Sequence, residues 1–309
     1  MSALRLATCQ FPTTADIAAN LAWVRHQLTQ AAEAGAHLVH FGEAALSGYA
    51  GTDFAGFDGY DWTHLRRATE QVMATAAELG VWVVLGTAHP LADGLKPHNS
   101  LHVVDDRGQL RERYDKRFCS GDPQTTTGDL AHYTPGDHTC TWQVRGVTCS
   151  ALICYDYRFP ELHRDLARRG AQLLLHSFHT GGVPAARLRE ITAGIGAQQA
   201  AHNPAASTLT YPAVTMPAAM TAVAASDHVR VSAANSCAPE SLWPAFAVRA
   251  DGITTGRLVR NVPGVLITEV DTTEDLYDAT AHWRRRALEG TWHSGTTTDH
   301  PRSRERTRL

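Results

Sequence analysis

Short apolar segments alternate along this chain with longer amphipathic ones, and that alternation restricts the fold more than any other feature. "LRLATCQ" (4–10) reads as a strand. "DIAANLAWVRHQLTQAAEA" (16–34) reads as a helix, with Ile17, Leu21, Val24 and Leu28 on one face and Gly35 as its stop. The same reading gives a strand at 37–43, a helix at 64–80 and a strand at 81–88. Hairpins follow at 99–116, turning at Asp106-Arg107-Gly108, and at 141–154, turning near Arg145-Gly146. Beyond Pro160 a helix carries Leu162 and Leu166 on one side. A buried strand at 171–178 and a helix at 184–202 come next, then three or four strands between 229 and 271 and a closing helix at 273–289. This mixture of β-α-β units and hairpins predicts an α/β layered sandwich rather than a purely doubly wound sheet. No linker, low-complexity run or strong repeat interrupts it, so 1–290 reads as one domain and 291–309 as a tail, extended or covered by a partner.

Composition narrows the class. With 309 residues, 43% of them apolar, the chain can bury one large core or two modest ones. The net charge of −3 argues against a nucleic-acid or acidic-membrane partner. The last nine residues, "PRSRERTRL", carry +3, which leaves the remainder a mild −6. No signal peptide is visible at the start, and no apolar run approaches the roughly 20 residues that span a bilayer. The six cysteines are scattered rather than paired as a disulfide framework. These features predict a cytoplasmic protein with reduced thiols.

Three of the strands end on chemistry. "HLVHFGE" ends on Glu43, "LRERYDK" on Lys116 and "CSALIC" on Cys154. A rigid sheet can hold polar side chains at its strand ends without burying them deeply. An acid or base, a cation and a thiol are what acyl transfer needs: the base deprotonates the thiol, and the cation stabilises thiolate and oxyanion. Each residue also has a plainer reading: Cys154 as core packing, Glu43 as a cap, Lys116 as part of a solvated face.

The motifs "FGEAALSGY" (Glu43), "YDKRF" (Lys116) and "CYDYRFPEL" (Cys154) together resemble the nitrilase superfamily of carbon–nitrogen hydrolases. Their order fits, as do their separations of 73 and 38 residues, and the likeness runs from "LRLATCQFP" through "YTPGD" to "GVLITEVD". The resemblance implies a four-layer α-β-β-α sandwich that pairs sheet to sheet as a homodimer or higher homo-oligomer. It implies a mechanism without metal or cofactor, in which Glu43, Lys116 and Cys154 form the triad and the Tyr155 backbone N–H helps hold the oxyanion. One departure stands out. The family commonly places a second Glu between the Lys and the Cys, where "TTTGDLAHYTPGD" offers Asp129, either an orienting carboxylate or half of a turn-forming Gly-Asp pair. His132 is the other polar candidate in that loop. By resemblance the pocket is lined by Tyr49, Phe118, Tyr155, Phe178 and His179.

Tyr155-Asp156 after the cysteine resembles the branch that cleaves amides and carbamoyl groups rather than nitriles. The expected substrate is therefore a small amide or N-carbamoyl compound. Nitrile hydrolysis, acyl transfer to an amine and a catalytically silent scaffold stay open as alternatives. The 17 histidines show no zinc-ligand spacing, and no metal site is expected.

Overall fold

The computed structural model describes residues 3–92, 94–194 and 210–307. Strand β1 (Leu4–Phe11) leads through α1 (Ile17–Glu33) to β2 (Leu38–His40), and through α2 (Trp62–Leu79) to β3 (Trp82–His89). The hairpin β4 (His98–Val104) and β5 (Leu110–Asp115) completes the first half. The second half opens with the hairpin β6 (Thr141–Val144) and β7 (Val147–Ile153). It continues through α3 (Pro160–Arg168), β8 (Leu173–Ser177), α4 (Ala185–Ala193) and α5 (Tyr211–Asp227) to β9 (Arg230–Ser236). Strands β10 (Phe246–Val248), β11 (Thr254–Arg257) and β12 (Gly264–Val270) follow, then short helices α6 (Arg284–Leu288) and α7 (Pro301–Arg304).

Among the described residues the strands run in the order β5-β4-β3-β2-β1-β9-β8-β7-β6, with β10 beside β9 and β12 beside β1. The β1–β9 junction is short, Gln10 opposite Asn235 and Phe11 opposite Ser236, so it joins two sheets that face each other. Buried polar contacts tie those faces: His40 on β2 meets Ser232 on β9 and Ser177 on β8, each at 2.8 Å. Alternation along β1 explains the layers. Leu4 and Leu6 join the core between the sheets. Ala7, Cys9 and Phe11 instead pack under α1 and α2 with Val24, Leu28, Leu65 and Val72. On the far side, Leu162 of α3 and Met216 and Met220 of α5 cover the second sheet. The arrangement is α-β-β-α.

Local chemistry sets the element ends. Asp16 caps α1 by accepting from the N–H groups of Ala18 (2.8 Å) and Ala19 (3.2 Å). Arg145 and Gly146 both adopt positive φ, as a two-residue type I′ hairpin turn requires. Several segments depart from the sequence reading, among them the tail, where Pro301–Arg304 is helical. The closing helix expected at 273–289 is confined to Arg284–Leu288. Asp271 and Asp278 take the N–H groups of Thr273 and Thr280 at 2.8 and 3.0 Å, which offers the backbone an alternative to helix. The helix expected at 184–202 is present as Ala185–Ala193, and residues 195–202 lie outside the described residues. Helix α5 had no amphipathic signal: its sequence is apolar all round and contains Pro217.

Candidate active site

The strand expected at 37–43 stops at His40, so Glu43 sits in the loop three residues beyond it, fully buried. Its backbone crosses β3 at Gly86, where an added Cβ would stand 2.0 Å from the Gly42 carbonyl oxygen, so no side chain fits. The carboxylate is fixed by three donors. Oε1 accepts from Lys116 Nζ at 2.7 Å and Asn99 Nδ2 at 2.8 Å, and Oε2 accepts from the His179 N–H at 3.0 Å. Lys116, the residue after β5, is 1% exposed and also donates to Asp129 Oδ2 at 2.7 Å. Asp129 is held by the Ser120 N–H at 2.9 Å and by the Tyr49 hydroxyl.

Cys154 follows β7 directly and opens a 3-10 turn spanning Cys154–Arg158. Its φ of +40° is strained for a residue with a side chain. Sharp strand-to-helix turns of this kind lift a nucleophile off the sheet edge, and such strain clusters at functional sites. Asp156 fastens the turn. Its carboxylate accepts from the Ile153 N–H (3.0 Å), the Phe118 N–H (2.8 Å) and the Tyr114 hydroxyl (2.8 Å), which ties the cysteine turn to the lysine strand.

The charges are coupled. Burial raises the Glu43 carboxyl above its ordinary range, with Lys116 opposing and Asp129 adding to the rise. Burial raises the Cys154 thiol well above the usual range; Glu43 adds through its charge and a side-chain hydrogen bond, and Lys116 opposes. For Lys116 burial acts downward, but Asp129 and Glu43 outweigh it and hold the ammonium charged. For Asp129 burial acts upward, and Lys116 outweighs it with help from Tyr49 and Ser120. Glu43 and Asp129 thus share one ammonium, beside a thiol that burial keeps protonated.

The other residues singled out in the sequence divide. Tyr49 and His179 join the cluster: Tyr49 Oη lies 3.5 Å from Lys116 Nζ, and the two rings stand 5.0 Å apart. Phe118 stacks on Phe159 at 3.5 Å, and Phe159 meets the Tyr155 ring edge-on, so these aromatics gather beside the cysteine turn. His132 faces away. Its imidazole lies against Gly51 and Gly56 and lines a cavity of about 680 Å³ that includes none of Glu43, Lys116 or Cys154. Phe178 is a core residue, fully buried against His176 and Trp243; only its carbonyl reaches the cluster, accepting the Glu43 N–H at 3.1 Å.

Sequence reasoning missed Asn99, Asp53, the structural part played by Asp156, and His176. Asp53 accepts from the Tyr49 N–H and pairs with His179 Nε2 at 3.1 Å. For Asn99 a signal was available: an amide inside an apolar strand must find a buried partner. Among the described residues no group of three His, Cys, Asp or Glu is arranged to hold a metal ion. No helix among them is long and apolar enough to cross a membrane.

Comparison with known proteins places the chain in a family. The family model described as carbon-nitrogen hydrolase matches residues 5–274. The chain belongs to the carbon–nitrogen hydrolase family. Among curated relatives of this family member, Hydrolase MT0498 of Mycobacterium tuberculosis is 29% identical over 55% of the chain, and omega-amidase NIT2 of Mus musculus is 30% identical over 57%. The matched regions span 59% and 63% of those relatives' own lengths. The fold matches that of an amidase from Nesterenkonia sp. AN1 solved in complex with butyramide. The TM-score is 0.70 at 22% identity, over 94% of this chain and 98% of that one. Another structure of that amidase shows covalent addition of the acetamide moiety of fluoroacetamide at its active-site cysteine.

Proposed function

We propose that this carbon–nitrogen hydrolase cleaves a small amide, or an N-carbamoyl compound, through a thioester on Cys154. The observation that carries the reading is the buried Glu43–Lys116–Asp129 cluster facing a cysteine on a strained strand-end turn. The amidase relatives support the amide branch.

Glu43 takes the thiol proton as the sulfur attacks the carbonyl carbon. Burial and Glu43 keep the thiol protonated at rest, so the proton passes to Glu43 during attack rather than beforehand. The tetrahedral oxyanion is held by Lys116 and the backbone N–H of Tyr155. The cluster keeps one net negative charge throughout, first on Glu43, then on sulfur, then on the oxyanion, so Lys116 and its neighbours need not reorganise. Collapse breaks the C–N bond, and protonated Glu43 gives its proton to the departing nitrogen. Water then attacks the thioester with Glu43 as base, which releases the acid and restores the thiol.

The test is ammonia release across small primary amides, N-carbamoyl compounds and nitriles, with Cys154→Ala as control. Release from amides or carbamoyl compounds that disappears in the variant supports the proposal. Release from nitriles alone overturns the substrate class, and turnover by Cys154→Ala overturns the nucleophile. Silence across the panel, with a hydroxylamine adduct detected by mass spectrometry, replaces hydrolysis with acyl transfer.

A further inference from the structure

His176 lies outside the Glu43–Lys116–Cys154 cluster, fully buried at the end of β8, with its ring flat against Phe178 at 4.4 Å. Its Nε2 is 3.1 Å from the carbonyl oxygen of Cys154. A carbonyl only accepts, so Nε2 carries the proton and donates it. The other ring nitrogen, Nδ1, is buried and has no hydrogen-bond partner among the described residues. Buried polar atoms are rarely left unpaired, and an orphaned Nδ1 is tolerable where Nε2 performs a task that a leucine could not. That task is visible in the backbone. With φ at +40°, Cys154 leaves the strand geometry that would otherwise direct its carbonyl into the sheet ladder.

The three residues after His176 all bind the segment that carries the base. Ser177 Oγ donates to the Phe41 carbonyl at 2.9 Å, the Phe178 carbonyl accepts from the Glu43 N–H at 3.1 Å, and the His179 N–H donates to Glu43 Oε2 at 3.0 Å. One four-residue run thus grips the nucleophile turn at its first position and the base at its third and fourth.

We infer that His176 is a positioning residue. Its Nε2–H fixes the Cys154 carbonyl, and through it the direction of the thiol, while residues 177–179 fix the carboxylate that the thiol must meet. The inference goes beyond the proposed reaction and rests on it only for the role of Cys154. Burial, reinforced by nearby His163, holds the imidazole neutral, so the donor is a single N–H.

Two readouts separate positioning from stability. His176→Phe keeps the ring stack on Phe178 and removes the donor. It should melt close to the wild type, lose about 10- to 100-fold in kcat and change KM less than about twofold, because misplacing a reacting group by about 1 Å costs on that order. His176→Gln places an amide nitrogen where Nε2 stood and should recover most of the rate; His176→Asn, too short to reach, should not. Iodoacetamide alkylation of Cys154, followed by peptide mass mapping, should slow in the Phe and Asn variants but not in the Gln variant. That measurement needs no turnover, so it judges the positioning role even where the amide-cleaving proposal fails. Wild-type kcat in His176→Phe, or equal rates in the Gln and Asn variants, would overturn the inference.

Discussion

Asp129→Asn isolates the electrostatic part of the site with little change of shape. The two carboxylate oxygens are used unequally: Oδ2 accepts from Lys116 and from the Ser120 N–H, and Oδ1 accepts from the Tyr49 hydroxyl. An asparagine can turn its oxygen toward Lys116 and Ser120, and its NH₂ toward Tyr49, whose hydroxyl then accepts instead of donating. Lys116 and Ser120 keep their acceptor and only the Tyr49 O–H loses one, so the substitution removes charge far more than hydrogen bonds. Hydrogen bonds to charged groups contribute about 1.5–3 kcal/mol and neutral ones about 0.5–1.5, so the expected loss is about 1–3 kcal/mol. That is smaller than the roughly 3–5 kcal/mol for breaking a buried pair, because Lys116 keeps Glu43. The functional effect has a definite sign. Asp129 raises the Glu43 carboxyl, so its removal lowers that pKa, and the acid limb of kcat/KM moves to lower pH. With a weaker base the plateau should fall about 10- to 100-fold. Urea denaturation and the pH dependence of ammonia release measure both. An acid limb that stays in place or moves to higher pH would refute the argument.

Three further outcomes follow from the same contacts. Asn99→Leu removes a 2.8 Å donor that favours ionised Glu43, so the acid limb should move to higher pH, opposite to Asp129→Asn. Lys116→Met strands two buried carboxylates and should lower stability by about 3–5 kcal/mol in chemical denaturation, besides abolishing turnover. Burial pushes the Asp156 carboxyl up to about 6 from its ordinary 3.8, with the Phe118 and Ile153 N–H groups opposing. The fold then holds this proton more tightly than the unfolded chain does. The associated stability is fully present below about pH 4 and is lost as pH rises through 6, by about 3 kcal/mol. Asp156→Asn lacks that loss, so its stability relative to the wild type should climb between pH 4 and 7; a constant gap would show that Asp156 does not titrate there.

Much of the architecture was legible because it is local. Period-2 and period-3.6 patterns placed β1, α1, β3, both hairpins and β8, and three strand ends carried Glu43, Lys116 and Cys154. Asn99 and Asp53 reach the cluster, and His176 the Cys154 carbonyl, through tertiary proximity, and the segments around them state no such pairing. Neighbours in a motif are not neighbours in space: Phe178 precedes His179 by one residue on an extended segment, and its ring points to the opposite side, into the core. His132 follows a 3-10 turn that carries Asp129 inward and swings the imidazole toward Gly51 and Gly56. Helix α5 offered no polar face to mark a period, and the 273–283 segment showed helical spacing that its aspartates overrule.

Glu43 and Lys116 hang from the first sheet, while Cys154 and His179 hang from the second. The stretch 121–128 between the two halves is exposed throughout. A chain cut there yields two pieces, one with Glu43 and Lys116 and one with Cys154, and neither half holds all three. The larger piece also brings β12, which zips along β1 from Leu4↔Val270 to Gln10↔Gly264. If the proposed amide cleavage holds, ammonia release from the mixed pieces would count assembled molecules, which makes the chain a natural split reporter whose signal is the reunion of its own halves.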